Sequence, residues 1–474
     1  MNPDETCFMP AWQMADMVKR QEIPATEIVE AIIGRIEKIN PKINAYVTTT
    51  FDLARNQAHA IDQLAKDGAN TGLIGGVPTS IKDVIITGGI RTTNGGRLWE
   101  NWIPKKDEVV VQRLKAAGGV ILGKTNTPEI GHQAVTDNLI FGRTNNPWNL
   151  ERTSGGSSGG AAAACASGTS PLSLGSDGAG SIRIPASFCG VFGFKPTFGR
   201  VPRYPHEGMA FRYLDCYGPI TRFVQDAALM LDAIKGSHPN DRDSIRDDGV
   251  SYFKAISQED RLSRLKIGYL PNLGYVELIE PEIAEMVTIA AHKFEEIGWT
   301  IEEPQFKTKN PEKNYSDYFI ASAAYDYQKK IGTSRHLISP NLVKMIDAGM
   351  SMNGVMLMDA IYRRTTLYEE FARLFKAYDL LISPAMPCTA FPHGPMFPRI
   401  IAGKQASPMG FIGFTYPISM TGLPAAAVPI GLSKEGLPVS MQIIGPLSDD
   451  LKVLQASRAF EQIAPWHDRK PPVA

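Results

Sequence analysis

The chain has 474 residues, 43% of them hydrophobic and 21% charged, with 49 basic against 49 acidic side chains. That is ordinary globular composition, which excludes a disordered or low-complexity chain, and the absence of a basic surplus argues against a nucleic-acid partner. Cys7, Cys165, Cys189, Cys216 and Cys388 form no Cys-x-x-Cys pair or zinc-like spacing, so they read as buried thiols in a reducing compartment and no metal is expected. The opening "MNPDETCFMP" carries acids where a signal peptide needs a basic region, and no apolar run reaches the roughly 18 residues of a membrane span. A cytoplasmic protein with no membrane association is expected.

In chain order, "ATEIVEAIIGRIEKIN" places Ile28, Val29, Ile32 and Ile36 on one helical face. From residue 73, "GVPTSIKDVI", "GGVILGKTN" and "TSPLSLGSD" read as short strands set off by Gly and Pro, with "EVVVQRLKAAGG" helical between the first two. Residues 255 to 380 are helical in pattern, as in "AEMVTIAAHKFEEIG" and "LYEEFARLFKAY". Strand-like runs resume at "DLLISPA", "AAAVPIGL" and "VSMQIIG". The alternation predicts an α/β fold whose central mixed sheet is covered by helices on both faces and completed from both ends of the chain.

Within this frame lies "TSGGSSGGAAAACASG", residues 153 to 168. A flexible linker there would interrupt a packed sheet. A phosphate-binding loop needs a P-loop Lys-Ser/Thr or Gly-x-Gly-x-x-Gly after a strand, and neither is present. Nucleophilic catalysis remains: Ser181 in "DGAGSIRIP" sits among Gly178, Ala179 and Gly180, whose small side chains leave backbone amides open to a developing oxyanion. The base is open on these grounds. His132 and His206 are the nearest histidines, and Lys82, ending an apolar strand, serves only if desolvation keeps it neutral.

Taken in order, "GVPTSIKDV", "GGVILGKTNTPE", "FGRTNNPWN", "TSGGSSGGAAA", "LGSDGAGSIRIPASFCGVFGFKPTFGRVPR", "GPITR", "TGLPAAAVPIG" and "GLPVSMQIIGP" closely resemble the amidase signature family of serine hydrolases. The resemblance is dense from about 73 to 230 and from 378 to 462. It implies one domain over 1–474, with N-terminal helices (1–65), a catalytic core (66–235), a mainly helical substrate-specific region (236–378) and C-terminal strands and a helix (379–474). It also implies a Ser-Ser-Lys triad: Ser181 as nucleophile, Ser157 as a bridging serine after a cis peptide bond, and Lys82 as neutral general base. Ser154 and Ser158 are then supporting donors, and Asp177 and Arg183 brace the loop. The amides of Gly178, Ala179, Gly180 and Ser181 are the expected oxyanion hole. Where many relatives read Asp-x-Gly-Gly-Ser, this chain has Ala179, which fits if its φ is negative. The implied reaction passes through an acyl-enzyme and needs no cofactor.

Two substrate classes fit such a triad. One is a stand-alone hydrolase of small amides, acting also on esters, anilides or carbamates (a urethanase activity), as a monomer or homodimer. The other is the glutamine-hydrolysing component of a tRNA-dependent amidotransferase, in which an aspartate shortly before the "GLP" motif holds the glutamine ammonium. Between Leu380 and Lys434 this chain has no Asp or Glu, and Ile412 falls near the expected place. The stretch offers instead Phe391, Met396, Phe397, Met409, Phe411, Phe414 and Tyr416, and "MAFRYLDCY" adds Met209, Phe211 and Tyr213. An apolar pocket built from Met209, Phe211, Tyr213, Phe397, Phe411 and Phe414 is expected, taking a small apolar or aromatic substrate.

Overall fold

The computed structural model describes residues 2–205, 213–257 and 264–473. Eleven strands form one mixed sheet. In chain order they are β1 (Tyr46–Thr49), β2 (Pro78–Lys82), β3 (Val120–Thr125), β4 (Leu172–Asp177), β5 (Phe192–Lys195), β6 (Cys216–Thr221), β7 (Lys266–Tyr269), β8 (Thr300–Glu302), β9 (Leu380–Pro384), β10 (Ala425–Leu432) and β11 (Pro438–Ile444). Across the sheet they run β1-β3-β2-β4-β6-β5-β10-β11-β9-β7-β8. The trio β3-β2-β4 is parallel, as is β9-β7-β8, and antiparallel pairs join the two trios. Strands from both ends of the chain therefore meet in one sheet, as the pattern predicted.

The central strands are buried at every position, which is why they read as continuous apolar or small runs rather than as alternation. Two expectations of the helical middle region need correction. Lys266–Tyr269 and Thr300–Glu302 are strands, and they extend the sheet beyond β9. At four and three residues they are too short to show a period against their helical flanks. All five cysteines are buried free thiols. No helix among the described residues is long and apolar enough to cross a membrane.

One apolar core joins the N-terminal helix Ala25–Ile43, the sheet and the C-terminal helix Asp450–Ile463. A second, on the site side, joins Ile184 and Phe188 to the helices Glu312–Tyr327, Pro340–Met350 and Gly354–Leu374 and to the stretch around Phe411. Phe460 is fully buried against Phe294, ring centroids 5.5 Å apart, so the C-terminal helix is part of the first core. Phe460→Ala is expected to cost about 3–5 kcal/mol of unfolding free energy. Chemical denaturation measures it, and a change under about 1 kcal/mol would show that this helix is dispensable.

Candidate active site

Lys82 closes β2, a strand flanked on both sides, and its side chain has no access to solvent. Nζ lies 2.6 Å from Ser157 Oγ and 3.0 Å from Ser176 Oγ. Burial pushes this amine down from 10.5 to about 7; Asp215 and Asp177 pull the other way, and Arg203 adds to the lowering. Near neutral pH the side chain therefore holds a free lone pair for a substantial share of the time, which an exposed lysine does not.

Ser157 follows a cis Gly156–Ser157 peptide, in the loop between the strand Asn149–Thr153 and the helix Gly159–Ala166. The next residue ties this loop to the Ser181 loop, because the Ser158 N–H donates to the Ser181 carbonyl at 3.1 Å. Ser158 Oγ donates to the Ser176 carbonyl and Ser154 Oγ to the Thr144 carbonyl, each at 3.2 Å. Both serines thus hold backbone in place.

The Ser181 loop is organised by Asp177, the last residue of β4. Its Oδ1 accepts from the Gly180 N–H at 2.7 Å and its Oδ2 from the Ile182 N–H at 3.2 Å. Arg183 grips both oxygens, Nη2 to Oδ1 and Nε to Oδ2, each at 2.9 Å. Burial works against this carboxylate, but the Arg183 guanidinium outweighs it and holds the acid at about 2. The Gly180 N–H is consequently spent on Asp177, which corrects its place in the expected oxyanion hole. Gly180 is instead required for shape: its φ is +117°, and a Cβ there would run into Thr415. Ala179 is not among the residues of positive φ, so its methyl group is accommodated without strain.

Two contiguous cavities meet at Ser181. The smaller, of about 40 Å³, is lined by Ser157, Ser176, Ser181, Gly178, Arg203 and Asp215 among others. The larger, of about 370 Å³, is walled by Tyr315, Phe319, Met345, Phe397, Phe411 and Ile412 among others, with Gly131, Ala179, Ser181, Tyr315 and Phe319 shared between the two. Of the pocket residues expected from sequence, Phe397 and Phe411 line the larger cavity. Phe414 does not: it is fully buried in the second core. Tyr213 lines neither cavity and is exposed. Met209 and Phe211 lie outside the described residues, as does His206. His132 lines the larger cavity. Its Nδ1 is 2.7 Å from the Glu129 carbonyl oxygen, and burial pushes the imidazole down to about 4.

Sequence reasoning missed Ser176, Gly131 and the Arg203–Asp215 pair, whose Nη2 and Oδ2 are 3.2 Å apart beside the smaller cavity. It also missed the cavity wall supplied by Tyr315, Phe319 and Met345 from the middle helices. Ser176 had one signal, its place two residues before the Gly-Ala-Gly turn of a strand adjacent to Lys82. The others are brought in by distant chain segments.

The sequence and fold have counterparts among known proteins. The Amidase family model matches residues 27–454. The A component of the glutamyl-tRNA(Gln) amidotransferase of Moorella thermoacetica is 38% identical, covering 98% of this chain and 99% of that protein. An acylamidase of Rhodococcus erythropolis is 36% identical over 98% of this chain and 97% of its own. The crystal structure of a bacterial aryl acylamidase superposes with a TM-score of 0.90 at 33% identity, covering 97% of each chain. The chain belongs to the amidase signature family, and it is an enzyme that hydrolyses amide C–N bonds.

Gly131 bears on the site directly. With φ +73° and an added Cβ only 3.0 Å from Ser157 Oγ and 3.9 Å from Lys82 Nζ, a side chain here would be strained and would push Ser157 Oγ aside. Gly131→Ala is expected to lower kcat/KM at least tenfold while costing only about 1–2 kcal/mol of stability. Paired kinetics and thermal unfolding separate the two, and unchanged kinetics would refute the close approach.

Proposed function

We propose that Ser181, Ser157 and Lys82 form a Ser-Ser-Lys triad that hydrolyses small apolar or aromatic amides through an acyl-enzyme. Ser181 Oγ attacks the amide carbonyl and forms the C–O bond as its proton passes through Ser157 to the neutral amine of Lys82. The tetrahedral oxyanion lies against the N–H groups of Gly178, Ala179 and Ser181, the Gly180 N–H being occupied. On collapse the C–N bond breaks and the proton returns through Ser157 to the departing nitrogen. Water then cleaves the ester by the same relay in reverse. Support comes from the 2.6 Å Lys82–Ser157 separation, the depressed pKa of Lys82 and the cavity shared by Ser157 and Ser181.

The substrate class rests on one observation: none of the described residues lining the cavity of about 370 Å³ beside Ser181 carries a formal charge at neutral pH. A glutamine zwitterion would leave both of its charges unpaired there, which is costly in a desolvated site. Ile412 itself forms part of the wall. Anilides, esters and carbamates suit the same wall, and the chain is read as a cytoplasmic monomer or homodimer acting on small molecules. A second reading, glutamine hydrolysis within an amidotransferase, is favoured by the 38% identity to the A component of such an enzyme.

Ser181→Ala is expected to abolish turnover and labelling by a fluorophosphonate probe, and Ser157→Ala or Lys82→Ala to lower kcat/KM by several orders of magnitude. Near-native amidase activity in Lys82→Ala would remove lysine as the base. Because only the unprotonated amine accepts a proton and its pKa is lowered to about 7, kcat/KM is expected to be lost below that pH, rise through it and level off above it. A profile falling from pH 6 to 8 would contradict a neutral-lysine base.

For the pocket, burial of an aryl group is worth about 1.5–3 kcal/mol. Realised in the transition state, this makes anilides roughly ten- to a hundredfold better substrates than acetamide. Copurification with partner proteins and faster hydrolysis of glutamine than of any anilide would replace this reading with the amidotransferase one.

A further inference from the structure

Beside the smaller cavity stands an ion pair that the hydrolytic steps do not use. Arg203 Nη2 and Asp215 Oδ2 are 3.2 Å apart, and both residues line that cavity with Ser157, Ser176 and Ser181. Asp215 immediately precedes β6, whose first residue, Cys216, pairs with Asp177 at the end of β4. The carboxylate is thereby set beside Ser176, which hydrogen-bonds to it and accepts from Lys82 Nζ at 3.0 Å. A carboxylate one serine away from a buried amine draws that amine toward its charged form.

Arg203 is held by more than the Asp215 carboxylate. Its N–H donates to Asp241 Oδ2 at 2.8 Å, its Nη1 donates to the Asp215 carbonyl at 3.3 Å, and its guanidinium carbon lies 4.7 Å from the centre of the Tyr217 ring. Burial raises the Asp215 carboxyl, Arg203 lowers it more than Lys82 does, and Asp177 works with burial. The remaining ionisable groups around the amine are otherwise engaged. Asp177 accepts from Arg183 and from the Gly180 and Ile182 amides. Asp83, next in the chain, and Lys124, opposite Ile81 on β3, act on each other, and Glu108 acts on Arg203. Burial keeps Tyr315 and His132 uncharged at neutral pH.

We propose that Arg203 is a positioning residue for the general base: paired with Asp215 beside the smaller cavity, it keeps that carboxylate from pairing with Lys82 and leaves the amine free to take the proton from Ser157. With an uncharged side chain at position 203, the cation left to balance Asp215 is Lys82 itself. The amine then holds its proton more tightly, and the base works only at higher pH. This inference rests on the reading of Lys82 as the general base.

The pH dependence of kcat/KM for 4′-nitroacetanilide and, in parallel, of the rate at which a fluorophosphonate labels Ser181 tests it. Wild-type enzyme is expected to gain activity through about pH 7. Arg203→Met is expected to move that midpoint up by about one pH unit or more, so that activity at neutral pH falls about tenfold or more while much of it returns at alkaline pH. Arg203→Lys, which keeps the charge, should leave the midpoint near that of wild type. Combining Arg203→Met with Asp215→Asn should bring the midpoint back down, because no carboxylate remains there to hold the proton. Asp215→Asn alone should place it at or below the wild-type value. An unmoved midpoint in Arg203→Met, a loss equal at every pH, or a midpoint that stays high in the double variant would overturn the assignment. Should thermal unfolding show that Arg203→Met does not fold, Asp215→Asn carries the test, and a midpoint above that of wild type refutes it. If wild type shows no rise through that pH, or Lys82→Ala keeps near-native activity, the base reading falls and this inference with it. If the rise is present and unmoved in Arg203→Met, only the role of Arg203 falls.

Discussion

Everything at this site follows from keeping one lysine amine away from water. Lys82 can serve as a base near pH 7 only because β2 delivers it into a place where its charged form is poorly solvated. The unfolded chain binds that proton near 10.5 and the folded chain near 7, so between those values the unfolded state holds more protons. This group therefore subtracts from stability, increasingly as pH falls through that window and by a few kcal/mol below it. The core formed by the sheet and its flanking helices has to absorb that loss. The two carboxylates that would otherwise restore the lysine's charge are each claimed by an arginine, Asp177 by Arg183 and Asp215 by Arg203.

The same Asp177–Arg183 pair explains why the site is built from both ends of the chain. Arg183 reaches past Asp177 to Gln442 Oε1 at 2.5 Å, the Thr415 carbonyl at 3.0 Å and Ser419 Oγ at 2.7 Å. Thr415 in turn donates from Oγ1 to the Ala179 carbonyl at 2.7 Å. A buried charge pair of this kind is costly unless its remaining donors are met, and these contacts meet them. As a result the Ser181 loop is fastened to the segment that carries Phe411 and Ile412 in the cavity wall. The Ser181 loop and the cavity wall are held in register by one hydrogen-bonded network.

What the sequence revealed and concealed can be traced to particular residues. The sheet and its completion from the C-terminal segment were visible because central strands are continuous apolar runs bounded by Gly and Pro. The short strands β5, β7 and β8 carry too few residues to declare a period. Lys82, Ser157 and Ser181 were marked by their motifs. Nothing in Lys82 alone distinguishes it from a solvated strand-end lysine until the fold shows what covers it. That the Gly180 amide is spent was hidden for a related reason, since Asp177 lies only three residues away and the direction of its carboxylate depends on Arg183. The pocket was legible in composition but not in direction. Phe411 and Phe414 are three residues apart, yet one lines the cavity and the other fills the core.

The small cavity and the large one divide the work by polarity. The smaller cavity, of about 40 Å³, mixes Ser157, Ser176, Arg203 and Asp215 with apolar side chains such as Val84 and Ile130. Beyond Ser181 the wall turns apolar over about 370 Å³. Proton transfer needs the first environment, since each intermediate charge must meet a fixed dipole or ion as it forms. Recognition of an uncharged group needs the second, where water is displaced from apolar surface. Ser181 lines both cavities, and in the proposed mechanism an amide carbonyl is offered to the smaller one while the rest of the molecule is held in the larger. The middle helices, where the resemblance to the family motifs is weak, provide Tyr315 and Phe319 to both cavities and Met345 to the larger. On the proposed reading, substitutions at Met345 would alter the larger cavity without touching the strand ends that carry Lys82 and Asp177.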